Sequence, residues 1–256
     1  GMLNKIRKYK FLFEELVKRD FKKKYKRTVL GILWSLLSPL LTLLVMKIVF
    51  TEFFGRTTNN YTIYLFSGTL VFSYFKEATN GGMSSIVDNS GIFTKVNVPK
   101  YLFLLSKSVS SFINFILTFF IYLLFCIFDG IVFQWKFFML IYPIICLVLF
   151  NIGASSILSA LFVFFKDTKY LYNIFTLMLM YLSAIFYNVN SYEPKMQRLF
   201  LLNPIYVYIK YFRTIVLENT IPNLTIHLLA FVYAAAVLLL GAHMYKKYNQ
   251  KFLYYL

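Results

Sequence analysis

Acidic side chains are scarce in this sequence. Ten Asp and Glu stand against 27 Lys and Arg among 256 residues, and charged residues make up 14% of the chain. So few acids exclude an acidic or disordered protein. Because 59% of the residues are hydrophobic, a basic domain that binds nucleic acid is not expected either. A positive excess on a very apolar chain is typical of a polytopic membrane protein.

Residues that hold metals, cofactors or nucleotides are also few. Cys126 and Cys146 lie within apolar runs without metal-ligand spacing, so both are predicted to be small core residues. None of the ten glycines is followed by lysine, which excludes a phosphate-binding P-loop. No acids are paired within an apolar run, so we predict no catalytic residue, no metal site and no cofactor in this chain. For Glu77 we expect an ion pair or a hydrogen bond.

Six segments are long and apolar enough to cross a hydrocarbon core of about 30 Å. They are residues 30–53, 61–80, 107–128, 137–165, 171–187 and 225–244. Nineteen of the 27 Lys and Arg fall on the side of the N terminus, six on the other side and two inside the segments. Basic residues favour the cytoplasmic side of a membrane. The sequence therefore predicts a six-span, all-α domain over residues 30–256, with both termini and the tail 1–29 in the cytoplasm.

The N-terminal tail places apolar residues four positions apart among its lysines. The stripe is Tyr9, Phe13, Val17, Phe21 and Tyr25, of which the last four are predicted to form the interfacial face. Residues at this spacing follow one slowly drifting helical face. We therefore predict an amphipathic helix in the membrane interface, with its lysines over anionic lipid. A plain positively charged anchor is the alternative.

The connection between the second and third spans, about residues 88–100, carries apolar side chains that a solvated connector does not need. We predict a short helix there that docks a cytoplasmic partner. Its contact residues are Asn89, Ile92, Phe93, Lys95, Val96 and Pro99. The alternative is a plain loop lying on the membrane.

The outer segment of about residues 190–220 holds two apolar pieces that are too short to span. They are Met196–Leu202 and Ile205–Leu217, and a proline stands before each. Proline is favourable in a first helical turn and Asn203 is a good N-cap, so both pieces are predicted to be helices. Together they predict a re-entrant or interfacial hairpin between the fifth and sixth spans. It is either a lid over an exit or a surface pair.

The stretch from Arg19 to Leu40 resembles the beginning of permease subunits of polysaccharide-exporting ABC transporters. It contains a basic helix, then Leu30-Gly31-Ile32-Leu33-Trp34 and a proline at position 39. The family's order continues in Phe72-Ser73-Tyr74-Phe75, in Pro99, in Phe165-Lys166-Asp167-Thr168-Lys169-Tyr170 and in Asn203-Pro204. The resemblance covers nearly the whole chain.

This resemblance implies a transporter subunit, not an enzyme, that forms a homodimer in the bacterial cytoplasmic membrane. Two copies of an ATP-binding subunit would dock on it and bind the ATP and Mg. The cargo would be a lipid-linked polysaccharide such as O-antigen or capsule, or, from the stretch 77–87, a rhamnose-rich wall glycan. Channel or gate residues are expected at Trp34, Pro39, Phe175, Tyr181, Tyr187, Asn203 and Pro204. The alternatives are a permease for teichoic acid, small lipids or drugs, and a membrane-embedded glycosyltransferase.

Overall fold

The computed structural model describes residues 1–26, 29–54 and 60–256, apart from the side chains of Ile32, Phe53, Phe54 and Phe93. Within these ranges the chain is helical and contains no β-strand. The helices are α1 (Met2–Tyr25), α2 (Trp34–Phe54), α3 (Tyr61–Asp88), α4 (Ser90–Phe93), α5 (Tyr101–Phe128), α6 (Ile141–Phe164), α7 (Thr168–Leu182), α8 (Pro194–Phe200), α9 (Pro204–Val216), α10 (Leu224–Tyr248) and α11 (Phe252–Tyr255). The all-α prediction is confirmed.

Four described helical stretches are long and apolar enough to cross a membrane. They are Trp34–Glu52, Tyr101–Phe128, Trp135–Phe164 and Leu224–Tyr255. The other two predicted spans fall on helices of a different kind. Helix α3 has 28 residues but carries Lys76, Glu77 and Asp88 in its second half. Helix α7 has only 15 residues, roughly 22 Å at 1.5 Å per residue. The chain is thus a polytopic membrane protein with four clear spans among its described helices, where the sequence predicted six.

Helix α3 lies at the centre of the bundle. It packs against α5, α6 and α9. Its first six residues, Tyr61–Phe66, are all buried, although an amphipathic surface helix would expose part of such a run. Neighbouring protein therefore covers α3 on every side at this end, and α3 carries much of the hydrophobic core.

Small residues let α6 lie close to the helices on both of its sides. A methyl group added to Gly82 of α3 would collide with the side chain of Ser155 of α6. A methyl group added to Gly153 of α6 would lie 2.6 Å from the backbone nitrogen of Leu238 in α10. Close backbone approach through small residues is a common way to pack helices in membranes. These residues therefore fix the order α3, α6, α10.

Helix α7 ends at Leu182, five residues before the predicted end of the fifth span. The last carbonyl of a helix and the carbonyls just after it need partners from outside the helix, and here side chains around α9 supply them. Arg213 donates from Nη1 to the carbonyl oxygen of Ala184 at 2.7 Å and from Nη2 to that of Ile185 at 3.1 Å. Asn203 Nδ2 donates to the Leu182 carbonyl oxygen at 3.3 Å. The chain therefore turns where these partners lie.

The two short helices predicted in the outer segment are confirmed as α8 and α9. Each has a proline in its first turn. At α9, Asn203 Oδ1 accepts from the backbone N–H of Ile205 at 3.0 Å, which caps one of the free donors of the helix.

Candidate functional site

The N-terminal helix α1 lies along α5 and buries one apolar line against the bundle. Leu16 is 3% exposed and belongs to a group that we call the α1 cluster: Leu16, Ile86, Val98, Phe103, Ala160, Val163 and Phe252. The cluster joins α1 to the ends of α3, α5, α6 and α11. The predicted stripe (Phe13, Val17, Phe21, Tyr25) lies beside this line and is only half-buried.

The segment predicted to dock a partner follows α3 directly, and its helix α4 is a single turn of four residues. Asn89, in the N-cap position, is buried, and its side chain makes no capping bond to α4. Instead Asn89 Nδ2 donates to the Ser85 carbonyl oxygen at 2.7 Å, and Asn89 Oδ1 accepts from Arg19 Nη2 at 2.9 Å. Asn89 thus ties α1 to the start of this segment.

The other docking residues differ in their exposure. Lys95 and Val96 are exposed, whereas Ile92 and Pro99 are half-buried. The side chain of Phe93 lies outside the described part of the structure. Val98, at 7% exposure, packs into the α1 cluster. Part of the apolar character that the sequence shows here is therefore used inside the protein.

Lys100 lies at the end of this segment, just before α5. Its Nζ donates to Asn249 Oδ1 at 3.2 Å. Partial burial lowers the pKa of Lys100, because burial penalises the charged form. The segment 88–100 is thus held at both ends, by Arg19 on α1 and by Asn249 near the C terminus.

A polar groove lies between α1, α2, α3 and α5. It consists of two cavities of about 260 and 390 Å³, which share Lys24, Glu77 and Asn114. Glu77 Oε1 lies 3.1 Å from Lys24 Nζ and accepts from Asn114 Nδ2 at 2.7 Å. Glu77 therefore has the ion pair and hydrogen bond expected of it. Further polar wall residues include Ser38, Thr42, Thr69 and Ser73 in the first cavity and Lys23 and Ser110 in the second.

Cations outnumber acids along this groove. Lys23, Lys24 and Lys107 lie with Asp20 and Glu77 around the second cavity. The Asp20 side chain is 5% exposed, with Oδ1 at 3.3 Å from Lys107 Nζ. Its other oxygen, Oδ2, has no hydrogen-bond partner in the described part of the chain. The groove can thus offer ammonium groups to an anion, and the hydroxyl and amide groups of its walls to a hydroxyl-rich molecule. Among the described residues, no three His, Cys, Asp or Glu side chains group closely enough to hold a metal ion.

The structure does not gather the seven predicted channel or gate residues into one site. Pro39 lines the groove, and Trp34 is half-buried at the start of α2. Phe175 and Tyr181 are 45% and 58% exposed on α7. The remaining three lie towards α8 and α9: Tyr187, Asn203 and Pro204.

Arg213 of α9 was missed by the sequence reasoning. It is 7% exposed, and its Nε and Nη2 donate to the carbonyl oxygen of Tyr64 at 3.1 and 2.8 Å. Its guanidinium carbon lies 3.4 Å from the centroid of the Tyr64 ring. With its bonds to Ala184 and Ile185, Arg213 joins α3, α9 and the chain after α7. The available signal was a lone arginine in an apolar helix, since such a group needs several acceptors when buried.

The structure is thus a bundle of apolar helices with a polar groove beside the N-terminal helix. Residues 12–217 match the ABC-2 type transporter family. The chain belongs to this family. It is 26% identical to the O-antigen export system permease protein RfbA of Myxococcus xanthus, over 94% of this chain and 93% of that protein. It is 25% identical to the protein of the same name from Klebsiella pneumoniae, over 94% and 95%.

Membership of the ABC-2 family confirms the resemblance seen in residues 19–40 and the motifs that follow them. This ABC-2 protein is a membrane subunit of a bacterial transporter, not an enzyme, and it works with an ATP-binding partner subunit. The matched region contains the polar groove, the segment 88–100 and Arg213.

Proposed function

We propose that this chain is the transmembrane permease subunit of an ATP-driven exporter that moves a lipid-linked polysaccharide across the bacterial cytoplasmic membrane. Its similarity to O-antigen export permeases over 94% of the chain carries this proposal. The cargo class includes O-antigen, capsule and rhamnose-rich wall glycans. All of them combine an anionic lipid carrier with a long, hydroxyl-rich chain.

The proposed topology has six spans and both termini in the cytoplasm. Helix α3 and α7, with the residues that follow α7, supply the second and fifth spans, and α8 and α9 form a re-entrant hairpin on the outer side. The distribution of Lys and Arg supports this orientation. Helix α1 then lies in the inner interface as an amphipathic helix, where its lysines meet anionic headgroups.

The polar groove is the proposed entrance for the cargo. In this topology it opens at the inner membrane face, beside α1. Lys23, Lys24 and Lys107 would attract the phosphate groups that link carrier and glycan, because ammonium groups bind phosphate as point charges. The hydroxyls of Ser38 and Thr42 and the amide of Asn114 would accept and donate hydrogen bonds with sugar hydroxyls. Trp34 and Pro39 stand where the cargo would pass from α1 towards the bundle.

We further propose that two copies of the chain form the channel. Helix α7 supports this arrangement, because its apolar residues Ile174, Phe175, Met178 and Tyr181 are 45–66% exposed. Two such faces opposite each other would line a path on which aromatic rings stack against sugars. The hairpin residues Tyr187, Asn203 and Pro204 would then border the exit.

Two copies of the ATP-binding subunit would dock on segment 88–100, with contacts from Asn89, Ile92, Phe93, Lys95, Val96 and Pro99. The contact between Arg19 and Asn89 gives such a partner a direct mechanical link to α1. Closure of the partner dimer would therefore move α1 and widen the polar groove.

Depletion of this chain in its host, with pulse-labelling of the surface glycan, tests the proposal. Labelled lipid-linked glycan should accumulate inside the cell, protected from external periodate, and wild-type chain should restore export. Affinity purification from the same membranes should recover an ATP-binding subunit in equal amount. Unchanged surface glycan on depletion, or glycosyl transfer by the purified chain alone, would contradict it.

A further inference from the structure

A third cavity lies away from the polar groove, between the ends of α6 and α10 and the terminal helix α11. Its volume is about 420 Å³, within the range of roughly 300–1,000 Å³ that is typical of small-molecule sites. Its walls are almost entirely apolar: Ala160, Leu161, Phe164, Phe165, Met244, Tyr248 and Tyr255, with Lys251 as the charged member.

Aromatic rings shape this cavity. Phe164 is the central ring, with its centroid 5.5 Å from that of Tyr248 and 4.8 Å from that of Tyr255. Leu161 and Phe165, 36% and 66% exposed, stand at the rim that faces away from the bundle. An apolar slot with exposed apolar residues at its edge fits a hydrocarbon chain better than a polar solute.

Lys251 is a wall residue of the cavity, and further lysines lie next to its other wall residues in the sequence. Five lysines lie in residues 166–169 and 246–251, against one acid, Asp167. In the described part of the chain, Lys166, Lys247 and Lys251 form no ion pair with a carboxylate. Their ammonium groups instead lie 4.9–5.9 Å from aromatic ring centroids, Lys166 over Phe162 and the other two over Tyr248.

Lys166 is exposed as a residue, but its ammonium group lies partly among protein atoms. Burial lowers its pKa below the ordinary value for lysine, because the charged form loses hydration there. An anion bound beside it would restore the lost stabilisation. Lysines of this kind around an apolar slot are the features by which basic pockets between transmembrane helices select anionic lipid headgroups.

We propose that this cavity binds one anionic phospholipid of the membrane, with an acyl chain between Phe164 and Tyr248 and its phosphate at Lys166, Lys247 and Lys251. The bound lipid would brace α11 against the end of α6, where Phe252 enters the α1 cluster. This lipid is part of the membrane and is distinct from the transported cargo. The site does not depend on the cargo or on the ATP-binding partner.

Native mass spectrometry of the purified full chain, released from micelles that contain equal phosphatidylglycerol and phosphatidylcholine, tests the site. The wild type should retain one phosphatidylglycerol in preference to phosphatidylcholine. The triple variant K166Q/K247Q/K251Q should lose this preference, by roughly fivefold in affinity per lysine removed. The control K47Q/K195Q/R198Q removes the same charge from exposed side chains outside the cavity and outside α1, and should retain the lipid.

Leu161→Trp tests the role of the cavity independently of the role of the lysines. The larger side chain fills the cavity, and every lysine stays in place. The variant should reduce retention of phosphatidylglycerol as strongly as the triple variant. Equal retention of both lipids by the wild type, equal losses in the triple variant and its control, or full retention in Leu161→Trp would each overturn the proposal. Because only the isolated chain is measured, a failure of glycan export leaves this result unaffected.

Discussion

Arg213→Met tests whether the link between α3, α9 and the end of α7 stabilises the bundle. The variant keeps an apolar side chain of similar length but leaves the carbonyls of Ala184 and Ile185, which lie past the end of α7, without the guanidinium. The substitution costs the Tyr64 carbonyl less, because this carbonyl lies within α3 and can still accept a hydrogen bond from the helix backbone. A buried acceptor without a partner costs about 1–3 kcal/mol. The Ile185 carbonyl bears this cost, and the Ala184 carbonyl bears part of it because it keeps only a long bond of 3.5 Å from the Tyr64 hydroxyl. Relief of the buried charge offsets some of the loss.

The net loss should be about 2–4 kcal/mol in the free energy of unfolding, or roughly 4–16 °C in Tm at 2–4 °C per kcal/mol. Cys126 and Cys146 are free and at most 4% exposed, so a thiol-reactive fluorescent dye added to the purified protein reports unfolding. Arg213→Lys keeps the charge but loses the planar fork, and its loss should be intermediate.

Lys210→Met provides the matched control. Lys210 lies three residues earlier on the same helix, is half-buried, and has its ammonium 6.0 Å from the Tyr206 ring centroid. This variant should change the unfolding free energy by less than about 1 kcal/mol. If Arg213→Met unfolds no earlier than Lys210→Met, the hydrogen bonds of Arg213 do not hold α3, α9 and the chain after α7 together.

Two further predictions concern packing and coupling. Gly82→Ala should lower the free energy of unfolding by the roughly 1–3 kcal/mol typical of overpacking, and with it Tm, because the added methyl group meets Ser155. Gly81→Ala has room for its methyl group and should not lower Tm. Equal melting curves for the two variants would contradict the close contact of α3 and α6. Val96→Asp should reduce recovery of the ATP-binding subunit in affinity purification, since it charges an exposed apolar position of the docking segment. Asn97→Asp adds the same charge one residue later and should retain that subunit, so an equal loss from both would point to charge alone.

The sequence predicted the outer helices well because their signals are local. A proline in the first turn and an Asn cap need no distant partner, and α9 begins at Pro204 after the Asn203 cap. The end of α7 was predicted five residues too late. Hydropathy continues past Leu182, but the helix stops where Asn203 meets its last carbonyl and Arg213 meets the carbonyl of Ala184 just after it. Both side chains come more than 20 positions later in the sequence.

The apolar stripe of α1 shows the same limit at the candidate site. The spacing of four residues predicted an apolar face made of Phe13, Val17, Phe21 and Tyr25. A neighbouring face of the same helix repeats with nearly the same period, so spacing alone does not choose between the two. The structure buries Leu16 instead, because that neighbouring face meets the α1 cluster. The partner of Glu77 was equally hidden, since the contact joins Lys24 and Glu77 across 53 positions.

Composition and charge distribution alone determined that this chain is a helical membrane protein, and short motifs were enough to determine its family. Both depend on properties of each segment by itself. These are its free energy of transfer from water to the membrane and the sign of the charges that flank it. The tertiary structure alone decided which polar groups meet: Lys24 with Glu77, Arg19 with Asn89, and Arg213 with the carbonyls after α7. Such pairs form only after apolar packing has placed the helices, and no single segment of the sequence encodes that placement.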